Sequence, residues 1–145
     1  MTANFIKIND FVEDVTEKVH DLQSDTLTIA LSNTTPSLET LDPSADGNGV
    51  LANVTEIVYT NCSSRVLTVS SSAQTGGTYK IVVDDLTLTA TGGSVGPFRY
   101  VYIYNDTATN DELIGYFDYS EALTLGDGES IQLDFNATDG LFTLA

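Results

Sequence analysis

His20 and Cys62 are the chain's only histidine and only cysteine, so they bound any nucleophilic chemistry open to it. A Cys–His or Ser–His–Asp arrangement needs a base within hydrogen-bond reach of its nucleophile, and no motif joins these two residues. His20 lies beside Asp21 and off the Val15–Val19 stripe of a helical pattern, which predicts a solvated histidine on a polar helix face. A lone cysteine can form no intrachain disulfide, and a buried, reduced thiol is expected at Cys62. One His and one Cys cannot supply the three or four good ligands of a zinc site. P-loop and GxGxxG patterns are absent. No catalytic residue, cofactor or metal site is expected.

Carboxylates are the remaining reactive groups. Asp84-Asp85 or Asp111-Glu112 could serve as acid and base, as in a small glycosidase. With 21 Asp and Glu in 145 residues, adjacent pairs follow from composition alone, and solvated turns are expected. The stretch DPSADGNGVLAN, residues 42–53, sets Asp42, Ser44, Asp46 and Gly47 at the first, third, fifth and sixth positions of a calcium loop. Asn53 stands where the bidentate Glu belongs and Gly49 where an apolar residue belongs, so a plain Asp/Gly loop is expected. The sequons at Asn33, Asn53, Asn61, Asn105 and Asn136 reflect Asn- and Thr-rich strand surfaces.

Five Lys and Arg against 21 acids give a net charge of −16, with no basic residue after Arg99. Binding to a phosphate backbone needs clustered Lys and Arg, so nucleic acid is excluded as a partner. A partner protein surface should be neutral or basic. The start, MTANFIKIND, has neither the basic lead nor the apolar run of a secretory signal, and no stretch approaches the ~20 apolar residues of a membrane span. Synthesis in a cytosol, with no membrane partner, is the expectation.

Elements that could position these residues fall into two kinds. Ile8, Phe11, Val12, Val15, Val19 and Leu22 recur at spacings of three and four, which predicts one amphipathic helix over about 9–23, with Asp10 and Glu13 as a capping box. From about residue 26 the pattern is β: TLTIALS alternates, with Leu27, Ile29 and Leu31 inward and Thr26, Thr28 and Ala30 outward. After a long loop over 33–49 come NVTEIVYT, SRVLTVSS, TYKIVVD, LTLTAT, PFRYVYIYN, LIGYFDY, ALTL, SIQLDF and LFTLA, separated by Gly and Asn turns. The fold expected is mainly β: an antiparallel β-sandwich or barrel, jelly-roll or immunoglobulin-like, with one N-terminal helix, as a single domain over 1–145.

GPFRYVYIYNDTATNDELIGYFDY, residues 96–119, holds seven of the thirteen Phe and Tyr. Phe98, Tyr100, Tyr102 and Tyr104 share one face of a strand, and Val101 and Ile103 the other. Covering on both sides by the chain itself explains such a strand. A tyrosine row also suits a contact surface, because a buried hydroxyl needs a partner. Tyr100, Tyr102, Tyr104, Tyr116 and Tyr119 are the candidate interface residues.

This stretch, with LTLGDGESIQLDF and the closing NATDGLFTLA, resembles small virion structural proteins of tailed bacteriophages. SDTLTIALSNTTP and DGNGVLANVTEI in the front half agree with it. The resemblance covers nearly the whole chain in pattern and carries no catalytic motif. It implies a virion location and a capsid decoration, or cement, protein that binds the outside of the head. Its partners would then be major capsid protein subunits and copies of itself. A tail or tail-fibre-associated protein with receptor or carbohydrate binding is the alternative.

Overall fold

Three antiparallel ladders organise the chain, which this computed structural model describes over residues 3–36 and 49–145. The elements are β1 (Phe5–Lys7), α1 (Phe11–Thr16), β2 (Leu27–Ser32), a 3-10 turn (Leu51–Asn53), β3 (Val69–Thr75), β4 (Thr78–Val83), β5 (Leu86–Thr89), β6 (Val95–Asn105), β7 (Leu113–Leu125), β8 (Ser130–Leu133) and β9 (Phe142–Leu144). Strand order is β1-β7-β6-β2 in the first sheet, β3-β4-β9 in the second and β5-β8 in the third. The fold is thus mainly antiparallel β with one short helix, and the three ladders do not join into a closed ring among the described residues.

Register explains which side chains meet. Phe5, Phe117, Val101 and Leu31 form one cross-strand row of the first sheet, and Lys7, Gly115, Ile103 and Ile29 a second row on the same face. Phe5 stacks on Phe142 with ring centroids 5.6 Å apart, and Phe117 meets Phe135 edge-on at 6.0 Å. These contacts tie the first sheet to β9 and to the segment after β8. Gly115 is needed beneath the Phe5 ring, since a Cβ there would overlap it.

The opposite face carries the row Ile6, Tyr116, Tyr102 and Ala30. Tyr102 is 1% exposed and lies against Tyr116 at 5.3 Å, while Tyr100 meets Tyr116 edge-on at 6.3 Å. Tyr100, Tyr102, Tyr104 and Tyr116 are all buried in this chain's own fold, beneath neighbours that include Asn53, Val54 and Thr55 beside Tyr102. Four of the five candidate interface tyrosines are therefore core residues, and only Tyr119 is half-exposed.

Strand β2 differs from its expected half-buried form: all six residues are buried, Thr28, Ala30 and Ser32 included. Its outer edge is paired by an irregular run. Ile29 N–H donates to the Arg65 carbonyl (3.0 Å), Leu67 N–H to Leu27 (2.8 Å) and Ile57 N–H to Leu31 (2.9 Å). Arg65 clamps this run, with its guanidinium 3.7 Å over the Tyr59 ring and a bond to the Ile29 carbonyl. The strand expected over 53–60 is therefore a 3-10 turn and irregular chain, and regular pairing over 64–71 begins only at Val69.

The helix is also shorter than its apolar spacing suggests. It stops at Thr16 because Lys18 takes a left-handed conformation (φ 68) and Val19 N–H reaches the Asp14 carbonyl (2.8 Å), the six-to-one closure of a Schellman ending. Val12, expected in the apolar stripe, is 54% exposed. The capping box does not form: Asp10 makes no side-chain cap and instead accepts Gly49 N–H (3.1 Å).

Candidate functional site

Ending the helix early turns His20 inward, so it is buried and not solvated as its sequence position suggests. Asn105 Nδ2 donates to His20 Nδ1 (3.0 Å) and to Asp25 Oδ2 (2.6 Å), while Asn105 Oδ1 accepts Thr107 and Ala108 N–H. His20 Nε2 faces Asp14 Oδ2 at 3.8 Å without a hydrogen bond. Burial lowers the His20 pKa from its ordinary value, opposed by the charges of Glu112 and Asp25. Cys62, half-buried on the far side of the fold, bridges to Ala90, and burial raises its thiol pKa. Of the carboxylate pairs, Asp111-Glu112 comes near His20, close enough for the Glu112 charge to act on it, whereas Cys62 feels chiefly Arg65.

Each carboxylate pair has a local role. Asp85 accepts Phe135 N–H (2.8 Å) and Gln132 Nε2 (2.9 Å), which holds the end of β8 beside β5. Glu112 is buried and accepts both Asn110 nitrogens, so it is not a solvated turn residue. Burial chiefly raises the Asp111 pKa, with Asp106, Glu112 and Glu56 adding to it. Asp42, Ser44, Asp46 and Gly47 lie outside the described residues. Among the described residues, no three His, Cys, Asp or Glu gather as a metal would require.

Three cavities run end to end beside Tyr119. One of about 340 Å³ is lined by Tyr119, Glu121, Leu123, Ile131 and Gln132. The next, about 160 Å³, shares Tyr119 and Gln132 and adds Val101, Phe117, Leu133 and Phe135 among its walls. A third, about 240 Å³, continues past Phe117 and Phe135 to Phe5 and Leu141. Together they form one groove, with half-buried rings on its floor and carboxylates on its rim.

Two features of β7 and β8 create this groove. Phe98 pairs with Leu123 but Tyr100 with Asp118, so β7 bulges across residues 119–122, with Ser120 at φ 66. Arg99 pins the start of the bulge by a bidentate pair with Asp118 (2.7 and 2.9 Å), which lowers the Asp118 pKa and raises its own. Beyond the bulge, the 126–129 turn carries the chain out of the first sheet, so β7 and β8 are joined without pairing. Ile131, Gln132 and Leu133 on β8, consecutive in sequence, line the groove, as do Asp134 and Phe135 just past its end. A cavity over a strand's face touches alternate residues, so this one runs along the strand's edge. Among the described residues that edge has no backbone partner, whereas the other edge pairs with β5.

Of the expected interface residues, only Tyr119 belongs to this groove. Phe117, Leu123, Ile131, Gln132 and Asp134 escaped the sequence reading because LIGYFDY and ALTL read as separate strands. Joined as the single 13-residue β7, they place Phe117, Tyr119 and Leu123 along one surface. The chain matches no protein-family model, no curated protein and no solved structure.

Proposed function

We propose that this protein is a non-enzymatic structural component of a bacteriophage particle: an antiparallel β-sandwich that decorates the outside of the head and cements adjacent major capsid subunits. The observation that carries the reading is the groove itself, a run of half-exposed aromatic and aliphatic side chains beside an unpaired strand edge on an otherwise acidic molecule. Such a surface suits attachment to another protein chain. Its pattern resemblance to phage virion proteins, strongest over residues 96–145, covers the strands that build the groove. Net charge of −16 keeps the free protein soluble and away from packaged nucleic acid.

Rebinding tests the proposal. Purified protein added to stripped, expanded capsids should bind at copy numbers on the order of hundreds per particle and raise their disruption temperature. Binding to tails or cells with capsids ignored refutes it. The neighbouring Phe117 and Tyr119 rings, with Gln132 and Asp134 beside them, also suit a sugar face. They favour the second reading, a tail-associated carbohydrate binder, for which the copy number per particle would be about six or twelve.

A further inference from the structure

We infer that the groove is a vacant strand position: an extended segment of a partner protein adds to the free edge of β8, its apolar side chains inward and its basic ones outward. The inference rests on the reading above for who supplies the segment, and on geometry for how it is held.

The geometry is that of an incomplete layer. β8 is the last strand of its ladder, and its open edge runs over the inner face of β7. A strand hydrogen-bonded to residues 130–133 would become the third strand of that ladder. Its inward side chains would land on Phe117, Tyr119 and Leu123, which are only half-buried. The Tyr119 hydroxyl makes no hydrogen bond to the described residues, and burial raises its pKa, so it stands ready to donate to an incoming carbonyl.

Charge decides the occupant. Glu121 and Asp134 line the groove without an ion pair among the described residues, and residues 100–145 contain no Lys or Arg. Lys or Arg at the outward positions of the segment would pair with these carboxylates. A second copy of this chain is a poor donor, since it carries −16 and five basic residues in all. Of the other open edges, β1 and β9 are only 3 residues long, and β3 offers no comparable site: Val69–Thr75 reads VSSSAQT, and its faces have polar side chains in place of an apolar floor.

A synthetic peptide pool tests this directly. The peptides are eight residues long, with Val, Ile, Leu or Phe at even positions and Lys, Arg or Thr at odd positions. A matched pool replaces Lys and Arg with Asp and Glu. The full-length protein should retain the basic pool at least tenfold better. The strongest binder should protect the amides of 130–133 from hydrogen exchange and lose binding when N-methylated at alternate residues. Glu121→Lys, at an exposed site, should weaken it severalfold while the unbound fold is unchanged. No retained peptide, protection at β3 instead, or indifference to N-methylation overturns the inference. A dimer that buries the same amides without peptide assigns the position to a second copy and overturns it too. Capsid rebinding that persists without strand addition sinks this inference and spares the decoration reading. Peptide addition with capsids ignored does the reverse.

Discussion

Replacing Tyr102 by alanine separates a core tyrosine row from a docking one. Tyr102 is 1% exposed, packs on Tyr116 and sits across from Ala30 in the middle of the first sheet. Truncating a large buried aromatic removes its transfer free energy and leaves a cavity, together about 3–5 kcal/mol. Little collapse can offset this, because the strands on both sides are fixed by ladders. A domain of this size has a total stability of about 5–15 kcal/mol, so roughly a fifth or more of it is at stake. At about 2–4 °C per kcal/mol, the melting temperature should fall by roughly 6–20 °C. Far-ultraviolet circular dichroism reads both the free-energy loss, by urea unfolding, and the fall in melting temperature, by heating, in a chain without tryptophan. Tyr119→Ala, at a half-exposed position, should cost only about 1 kcal/mol. Equal small losses for both variants, with Tyr102→Ala abolishing attachment to the particle, would show that the row faces another subunit.

Other expectations follow from single contacts. Gly115→Ala should destabilise by about 1–3 kcal/mol through overlap with Phe5, and less than additively in a Phe5→Ala background, as a double-mutant cycle would show. Arg65→Ala removes the stack on Tyr59 and the bond to the Ile29 carbonyl; about 1–2 kcal/mol should be lost, with faster hydrogen exchange along β2. His20 has a folded-state pKa below its unfolded value, so neutral His20 contributes stability above about pH 6.5. That contribution is lost as pH falls through the folded pKa, by about 1.4 kcal/mol per unit of lowering. Denaturation from pH 7 to 5 should show a loss in the native chain that His20→Gln lacks; parallel curves would count against a buried neutral imidazole.

Much of the architecture was legible because strand alternation and turn chemistry are local. TYKIVVD, LTLTAT, PFRYVYIYN, SIQLDF and LFTLA all fall on strands, and Gly76-Gly77 closes the β3–β4 hairpin with positive φ at both residues. What failed was decided by contacts distant in sequence. The helix carried its apolar spacing past Thr16, yet Lys18 could take the left-handed ending normally given to glycine, and burying His20 and Leu22 rewarded it. Thr28 and Ala30 looked solvent-facing because nothing in TLTIALS announces that residues 57–67 return to its edge. The groove was hidden for a related reason. Its floor comes from β7 and its wall from β8, two strands joined by a short turn that do not pair with each other.

Edge protection gives the fold its functional direction. A small β protein must blunt its open edges or associate through them. Here β2 is covered by the chain's own 57–67 run, and β3 carries serines, glutamine and threonine. β8 has neither defence along its groove side: Ile131 and Leu133 flank Gln132, with Asp134 and Phe135 just past the strand, beside a floor of half-buried rings. The carboxylates on that rim repel copies of the same acidic chain and would attract a basic strand. An edge left apolar but guarded by one sign of charge would disfavour pairing with the same acidic chain and favour a basic partner strand. On this reading acidity and the open edge act as one device, with Val101, Phe117, Tyr119 and Leu123 as its floor and the tyrosine row packing the opposite face of the first sheet.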